Sequence, residues 1–445
     1  MRLLRPIYRS DELASKLLKH LKINYAKPAY QGKAKVVAAS FLYAAKRIQE
    51  SNATSADKIA LGWPHKDSHW TKYPAVGQTI IKEIREALIH AALIQKIPDT
   101  GQVIFDENGK IAERLTTLYT ISPSLYDDFD PSKATYSDQH RVAVKVAKHE
   151  NYGQKKERKA AKRSSPKLTI KECKNTFKGE WSKVNKRIKI LNEYYAKHPL
   201  ILDDGFKCSA VTRVFSDGRL DAGGRMYAAY SDLASTERLK ATINGNPVCE
   251  IDIRASQPTL LSCLLGYKLG DTWDDIYSTL PSVMAAKNPD EKEAIRDQVK
   301  SVITELMGAG NAGKNDPSND LKAKGVDKFL FLSYRDEAVE AIPALSEMKA
   351  KDISSNGYTT FHESEIILGA IETLMRADIA AYSVHDSIIV ESSVSVEAVE
   401  ALRTSWASHC KNNQQTNKNF TTYPALKVTH HNKREQMWSG HYSGF

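Results

Sequence analysis

The sequence predicts an α+β protein of two or three domains, and three observations support this prediction. The chain has 445 residues, which is long for a single hydrophobic core. Its first third contains amphipathic helical segments followed by two extended runs. From about residue 200 the pattern changes to short strands, turns and helices, and the polar motifs concentrate there.

The composition is that of an ordinary soluble protein with an excess of positive charge. The formal net charge is +11 and the pI is near 9.1, which predicts a polyanionic partner, nucleic acid first and an anionic membrane surface second. We predict no signal peptide, because the apolar run at the start (MRLLRP) breaks too soon, and no membrane-spanning segment, because no apolar run approaches the roughly 18 residues of a span. Of the two candidate partners we therefore predict nucleic acid and not a membrane. The five cysteines are scattered, which predicts a reducing, cytoplasmic location without a zinc site or a disulfide framework.

The N-terminal third is predicted to consist of helices followed by a hairpin. Residues 1–32 form a short helical lead-in to a module of residues 33–125. Within that module, residues 34–49 and 76–93 carry apolar side chains at helical spacing. Two extended runs follow, joined by a turn at residues 106–109.

This order of elements resembles the winged-helix domains of replication initiators and regulators. The resemblance implies that residues 76–93 enter a DNA major groove and that the turn at residues 106–109 is the tip of the wing. The alternative is an α+β packing domain that does not contact DNA. The sequence of this module leaves both interpretations open.

Residues 126–198 are predicted to be a basic linker followed by a helix. The linker contains a strongly basic run at residues 154–163, and residues 179–195 have the apolar spacing of an amphipathic helix. A run of this kind is most often a solvated segment. The functional alternative is a patch that follows a nucleic-acid backbone, whose contribution would fall steeply with salt.

The first polar motif is a double glycine followed by an arginine. Residues 216–218 predict a hairpin turn between short strands at 213–215 and 219–220. Gly223 and Gly224 would let a ligand backbone approach closely, and Arg225 could then bind a phosphate with its forked guanidinium. The alternative is an ordinary surface turn.

The second motif is a strand that ends in a carboxylate. Residues 248–253 predict a strand whose period of two places Glu250 and Asp252 on one face. A helix follows, with Ser256 as its predicted N-cap. Asp252, at the end of a strand and before a buried helix, has the rigid and partly exposed position that suits a metal ligand.

The third motif is a helix beginning near Asn288 and ending near residue 310. Its apolar residues form one buried stripe, while Arg296, Lys300 and Thr304 follow each other at intervals of four on a neighbouring face. Two cations one turn apart could bind a triphosphate from one side. The usual alternative for such a pair is a solvated basic face.

The fourth motif is a strand, turn and strand over residues 379–390, with His385, Asp386 and Ser387 at the turn. Aspartate is an ordinary turn residue, so Asp386 alone carries little weight. With Asp252 it becomes the second carboxylate of a pair, and the pair has matching cations in Arg225, Arg296 and Lys300.

Residues 213–390 resemble the palm and fingers of the single-subunit phage-type RNA polymerases and their relatives, the family A DNA polymerases. Residues 221–228 (DAGGRMYA) look like the phage-type motif Asp-x-x-Gly-Arg-x-Tyr, and Asp252 with Ser256 matches the first catalytic motif in position and spacing. Arg296 and Lys300 match the nucleotide-binding helix, and the residues His-Asp-Ser at 385–387 match the phage-type third motif. The four motifs occur in the family's order, on the expected elements.

The resemblance implies a right-hand polymerase in which residues 199–428 form the palm with fingers at about 288–360, followed by a C-terminal tail at 429–445. It implies two-metal nucleotidyl transfer with Mg²⁺ or Mn²⁺, a nucleic-acid template and primer, and nucleoside triphosphates as partners. The metal ligands would be Asp252 and Asp386, with Lys300 as a further catalytic residue. The remaining implied site residues are Arg296, Lys300, Gln257 and Thr304 for the nucleotide, and Gly224, Arg225, Tyr227 and His385 for the nucleic acid.

Three departures from the family pattern leave the product open. Met307 and Gly308 stand where the family has an aromatic residue, Ser387 stands where the DNA enzymes have Glu, and Gln257 stands at the sugar-selecting position. We expect a template-directed polymerase, with DNA or RNA as product, that replicates a small mobile element. The alternatives are a winged-helix initiator or regulator whose polymerase-like half is degenerate, and a two-metal nuclease.

Overall fold

The computed structural model describes residues 2–3, 12–51, 61–63, 78–98, 100, 103–105, 111–114, 117–129, 142–145, 168–203, 207–228, 230–231, 233–268, 272–353, 355–414 and 421–443. These residues combine helices with several sheets and fall into two compact units. The first unit contains the described residues up to 129, with 203 and 207–210. The second contains residues 142–145, 168–202 and those from 211 onward. Within these ranges, no helix is long and apolar enough to cross a membrane.

The described helices and strands are numbered here in chain order. The helices are α1 (Glu12–His20), α2 (Pro28–Ser51), α3 (Gln78–His90), α4 (Pro123–Phe129), α5 (Ile170–Tyr195), α6 (Ser235–Arg238), α7 (Ser256–Leu265), α8 (Pro281–Met284), α9 (Pro289–Ala309), α10 (Asn319–Ala323), α11 (Lys328–Ala341), α12 (Ala344–Glu347), α13 (Thr360–Arg376) and α14 (Ser395–Asn413). The strands are β1 (Arg2–Leu3), β2 (Leu61–Trp63), β3 (Ile94–Lys96), β4 (Val103–Phe105), β5 (Ile111–Arg114), β6 (Thr117–Ile121), β7 (Val142–Val144), β8 (Leu200–Ile201), β9 (Lys207–Cys208), β10 (Thr212–Phe215), β11 (Gly223–Tyr227), β12 (Thr242–Ile243), β13 (Asn246–Ile253), β14 (Thr272–Trp273), β15 (Tyr382–Val384), β16 (Ser387–Glu391), β17 (Thr421–Tyr423), β18 (Leu426–His430), β19 (Glu435–Trp438) and β20 (Gly440–Ser443).

The first unit has the helices and the hairpin that the sequence predicts. The predicted helix at 34–49 lies within α2, which begins at Pro28, and α3 occupies most of the predicted helix at 76–93. Strand β6 pairs with β3, and β4 pairs with β5, both antiparallel. The predicted turn at 106–109 and the basic run at 154–163 lie outside the described residues. DNA binding by this unit stays a prediction.

Strand β13 is the centre of the main sheet of the second unit. It pairs with β16 on one side and with β18 on the other, both antiparallel. A central strand is covered on both sides, and accordingly Val248, Cys249 and Ile251 have no exposed surface. Helix α7 follows directly and is also buried along most of its length. The end of β13 is therefore a rigid position.

The predicted C-terminal tail is wrong, because residues 429–443 belong to sheets. His430 is the last residue of β18, which pairs with β13, and β19 pairs with β18. Strand β20 pairs with both β14 and β17. The physical reason lies in β18, where Leu426 and Val428 alternate with polar residues and are buried. This strand covers a side of β13 that would otherwise expose unpaired backbone groups.

The predicted hairpin around residues 216–218 is present, but its second strand begins later than expected. Asp217 and Gly218 make the turn with left-handed backbone (φ 56° and 64°), and the partner of β10 is β11, not residues 219–220. Strand β11 packs on α13. The guanidinium of Arg213, fully buried, holds this contact through Nε to the Gly224 carbonyl at 2.8 Å and through Nη2 to the Glu365 carboxylate. Arg213 thereby fixes the strand that carries Arg225.

Substituting Glu365 by Gln should destabilise the protein by about 2–4 kcal/mol, because the buried Arg213 guanidinium would lose its counter-charge. Chemical denaturation of the variant and the unmodified protein measures this difference. The matched control is Glu193→Gln, since Glu193 makes an exposed ion pair with Lys189 at 3.6 Å, and such pairs contribute about 0–1 kcal/mol. Equal effects of the two substitutions would contradict the role assigned to Arg213.

Candidate active site

Two carboxylates meet in a cavity of about 500 Å³ at the end of β13. Asp252 is the penultimate residue of that strand, and Asp386 lies in the turn between β15 and β16. Asp252 pairs with Ser387 in the antiparallel ladder, and the Ile253 N–H donates to the Asp386 carbonyl at 3.2 Å. Backbone pairing therefore brings the two predicted metal ligands to one cavity.

The turn that carries Asp386 confirms the predicted strand, turn and strand. His385 has left-handed backbone (φ 56°), which is uncommon for a residue with a side chain. Its exposed imidazole lies edge-on to the Tyr227 ring, with 6.1 Å between the ring centroids. The two predicted nucleic-acid-binding residues are thus neighbours, although they are not among the residues that line the cavity.

The two carboxylates oppose each other's ionisation. Burial raises the pKa of Asp252 to about 8, and the charges of Asp386 and Glu250 add to the increase. Burial also raises the pKa of Asp386, against the opposing charge of Arg225. Burial and mutual repulsion both disfavour the ionised form of these carboxylates. A bound divalent cation would offset both effects, so the pair has the electrostatics of a cation site.

Glu250 shares the face of Asp252, as its spacing predicts, but it has a structural partner. Its carboxylate accepts from Arg238 Nη2 at 2.7 Å and from the Ser387 hydroxyl at 2.8 Å. Ser387 is buried, and its hydroxyl oxygen also lies 2.9 Å from the Val384 carbonyl oxygen. The contact between Ser387 and Glu250 connects the fourth motif to the second through the interior of the sheet.

Helix α9 presents the predicted row of polar residues to the cavity. Arg296, Lys300 and Thr304 all line it, and the opposite stripe of the helix is buried. The Asn288 side chain caps the helix by accepting from the Glu291 N–H at 2.9 Å. The Glu291 carboxylate accepts from the N–H of residue 287 and not from that of Asn288, so these two residues do not form a reciprocal capping box. The Thr304 hydroxyl donates to the Lys300 carbonyl at 2.7 Å.

A buried glutamate that the sequence analysis missed organises one wall of the cavity. The Glu363 carboxylate accepts from Arg225 Nε at 2.8 Å, from the Ser256 hydroxyl at 3.0 Å and from the Gln257 amide. The Gln257 carbonyl in turn accepts from the Thr359 hydroxyl. Burial raises the pKa of Glu363, while Arg225 and Gln257 favour its charged form. Gln257 and Arg225 therefore have fixed positions before any ligand binds.

The predicted N-cap of α7 is wrong. The cap position is Ala255, which has left-handed backbone (φ 47°) and no capping side chain. Ser256 instead turns its hydroxyl towards Glu363. A fully buried carboxylate needs hydrogen-bond donors, and Ser256 satisfies it from inside the helix.

Gly224 has a packing role that does not involve the cavity. Its backbone is left-handed (φ 83°), and a Cβ at this position would lie 2.8 Å from the Ser364 hydroxyl oxygen and 3.0 Å from Arg213 Nη2. The glycine therefore lets β11 approach α13 closely. Among the described residues that line the cavity, Arg225 is present and Gly224 is not.

The aromatic residue at the cavity comes from a different element than the family pattern implies. Met307 is buried and lines the cavity, but the ring there belongs to Tyr277, in a single 3₁₀ turn, Ile276–Thr279. The Arg296 guanidinium carbon lies 5.7 Å from the Tyr277 ring centroid. No local sequence pattern predicts Tyr277 as a site residue, because only the tertiary structure brings its turn to the cavity.

Two further cations line the cavity and were also missed. Arg254 follows Asp252 by two positions, and Lys427 lies opposite Asp252 in the β13–β18 ladder. The charge of Lys427, like that of Lys300, lowers the pKa of Asp252 against the larger effect of burial. Arg254 could have been noticed from its place beside a candidate metal ligand. Lys427 could not, since only sheet pairing brings it there.

The two aspartates suit a magnesium ion that has further ligands from outside the protein. Within the described ranges, no group of three or more His, Cys, Asp or Glu residues could hold a metal ion by itself. Mg²⁺ retains several waters and is usually bound by one or two carboxylates together with substrate phosphates. Asp252 and Asp386 therefore suit a hard cation that binds together with a phosphate ligand.

Comparisons with known proteins give no family for this chain. No protein-family model matches it, and no curated protein matches it in sequence. Among solved structures, one match is described as "POL domain of Pol1 from M. smegmatis complex with DNA primer-template and dNTP". It has a TM-score of 0.29 and 10% sequence identity, and it covers 98% of this chain and 67% of the other. Such values do not establish a shared fold, so the function of the site depends on its own residues.

Substituting Asp252 by Asn should stabilise the metal-free protein at pH 8 and change little at pH 4. The pKa of Asp252 is raised to about 8, so the folded state keeps a proton that the unfolded state releases. Stability therefore falls as the pH rises from about 4 to about 8, and the substitution should recover about 1–3 kcal/mol at the upper end. Urea denaturation with a chelator across this pH range measures the difference. Asp316→Asn, at an exposed position, is the control. A difference that does not vary with pH would contradict the assignment.

Proposed function

We propose that this protein is a template-directed nucleic-acid polymerase that works by two-metal nucleotidyl transfer. The observation that carries the proposal is the composition of one cavity, in which both aspartates lie among five cationic side chains. The cations are Arg225, Arg254, Arg296, Lys300 and Lys427. A cavity with this excess of positive charge around a carboxylate pair suits a nucleoside triphosphate that carries magnesium.

The residues divide between metal and phosphate chemistry. Bound Mg²⁺ or Mn²⁺ would supply Lewis-acid stabilisation of the attacking hydroxyl and the leaving pyrophosphate. Asp252 and Asp386 would hold it, because hard divalent cations prefer carboxylate oxygens. Lys300 and Arg296 would neutralise the triphosphate and the charge that develops on it. Thr304, one turn further along α9, would be the last residue of this helix to contact the nucleotide.

The sugar would contact another wall of the same cavity, and the nucleic acid would contact residues in the cavity and beside it. Gln257, fixed by Glu363 and Thr359, would lie against the sugar. Arg225 would contact the backbone or minor groove of the primer–template, with Tyr227 and His385 supporting the primer end. In this proposal residues 199–428 form the palm, with fingers at about 288–360. Strand β19, which pairs with β18, would then extend the palm sheet beyond residue 428.

Two other functions compete with this proposal. A replication initiator or regulator with a winged helix would use the cavity only to grip nucleic acid. A two-metal nuclease would use the same aspartates for hydrolysis. The row of Arg296 and Lys300 favours the polymerase, because hydrolysis of a phosphodiester has no evident need for a triphosphate-binding helix.

Extension of a primed template with Mg²⁺ and either dNTPs or rNTPs is the test of the proposed function. We expect extension by the unmodified protein and a loss of about 10²-fold or more in Asp386→Asn, because a metal-binding charge is removed. Asp316→Asn, an exposed carboxylate, should retain full activity. Binding to the template without turnover would favour the initiator, and shortening of the primer would favour the nuclease.

Gln257 should determine which sugar is accepted. Its amide nitrogen donates to Glu363 and its carbonyl oxygen accepts from Thr359, so the side chain has one orientation towards the nucleotide. Truncation in Gln257→Ala should raise the use of rNTPs relative to dNTPs by about 10-fold or more, as expected for removal of a steric contact. The ratio of kcat/KM values for the two nucleotides measures the change. Thr359→Ser, which keeps the hydroxyl, should leave the ratio near its original value. An unchanged ratio in Gln257→Ala would contradict this role.

A further inference from the structure

A buried aspartate outside the sequence motifs connects three elements at the cavity. Asp275 is 5% exposed and precedes the 3₁₀ turn that carries Tyr277. Its Oδ1 accepts from the Tyr277 backbone N–H at 3.1 Å, and its Oδ2 accepts from the Ser278 hydroxyl at 2.9 Å. Asp275 is therefore the N-cap of the turn and sets the direction in which the Tyr277 ring points.

The same carboxylate holds two of the cavity's arginines. Oδ2 of Asp275 accepts from Arg296 Nε at 2.6 Å and from Arg254 Nη2 at 3.1 Å. Burial opposes the charge on Asp275, but the hydrogen bond and charge of Arg296, with help from Ser278 and Arg254, lower its pKa. One ionised carboxylate thus serves two guanidiniums, which leaves one positive charge uncompensated within this group.

Both arginines remain available to a ligand in the cavity. Their side chains are 23% and 26% exposed, and both line the cavity that contains Asp252. A guanidinium has five N–H donors. In the described part of the chain, Arg254 Nη1 also donates to Met437 Sδ at 3.6 Å, and a thioether is a weak acceptor. Arg296 Nη1 donates to Asp297 at 3.5 Å, which is a long hydrogen bond. Most donors of each guanidinium can therefore bind phosphate oxygens.

A purely stabilising role does not account for this arrangement. A buried ion pair contributes little net stability when compared with apolar residues of similar size. Here two arginines share one carboxylate at the edge of a cavity, so the group carries excess positive charge. Such a group forms an anion-binding surface. Arginine forks also bind phosphate bidentately when a neighbouring group fixes their orientation.

We propose that Arg254 is a third triphosphate-binding residue, beside Arg296 and Lys300. Asp275 is the positioning residue that holds Arg254 and Arg296 for the phosphates of one nucleotide. This inference rests on the proposed function, because it assigns phosphates to that site. Arg254 approaches from the strand that carries Asp252, while Arg296 approaches from α9. The two cations would therefore grip the phosphate chain from two different elements. Asp275 acts only through them.

The test uses the full chain and two separate measurements. The first is the equilibrium affinity for inorganic tripolyphosphate and for a nucleoside triphosphate in Mg²⁺. The second is steady-state primer extension, with KM for the nucleotide separated from kcat. The variants are Arg254→Gln, Arg254→Lys and Asp275→Asn. The control is Asp274→Asn, since Asp274 is adjacent in sequence but exposed.

Loss of Arg254 should weaken tripolyphosphate binding and raise KM by about 10–100-fold, the range expected for charged hydrogen bonds, with a smaller change in kcat. Arg254→Lys should recover part of the affinity because it keeps the charge. Asp275→Asn should weaken the same binding. The double variant Arg254→Gln/Asp275→Asn should lose less binding free energy than the sum of the two single losses, since both residues act in one group. Affinity for the primer–template should not change.

The outcomes separate this proposal from the proposed function. Tripolyphosphate affinity within about twofold of the original in a folded Arg254→Gln variant would overturn the phosphate site, even if extension is normal. Weakened tripolyphosphate binding without any primer extension would support the site and overturn the polymerase. Absence of both binding and extension in the unmodified protein would overturn both. If Asp275→Asn does not fold, the two Arg254 variants still decide the phosphate site.

Discussion

The antiparallel register of β13 with its two neighbours is the constraint on which the candidate site depends. It places Asp252 opposite Ser387 on one side and opposite Lys427 on the other. Because side chains alternate along a strand, a slip of one residue would turn Asp252 to the opposite face and abolish the carboxylate pair. The buried apolar residues of β13 prevent such a slip, so packing of the core determines the geometry of the site.

Buried carboxylates then orient the cations around this pair. Glu363 holds Arg225, Asp275 holds Arg296 and Arg254, and further from the cavity Glu365 holds Arg213. Glu363 and Asp275 are shielded from water, while Glu365 is 21% exposed. All three accept hydrogen bonds from their arginines, so each arginine keeps one orientation without a ligand. Asp252 is the residue at which this arrangement reduces the stability of the metal-free fold, because burial and repulsion raise its pKa to about 8. A site prepared for a cation is less stable without one.

Local sequence patterns predicted several elements because their physics is local. The period of two around Asp386 and the interval of four along α9 describe how side chains repeat on a strand and on a helix. Two of the predictions that failed involve partners distant in the chain. Ser256 faces Glu363, about a hundred residues away, and residues 429–443 were expected to be a tail because their strand partners lie elsewhere. Predicted DNA binding and domain boundaries stay predictions.

The sequence by itself determined which residues could carry the chemistry, namely Asp252, Asp386, Arg296 and Lys300, because strand ends and helix faces follow from periodicity. Only the tertiary structure decided that these residues share one cavity and that Tyr277, Arg254 and Lys427 join them. It also decided that Asp275 connects them, through hydrogen bonds to two elements. The physical reason is that charges interact through space, whereas the period of a strand or helix shows only which residues of the same element share a face.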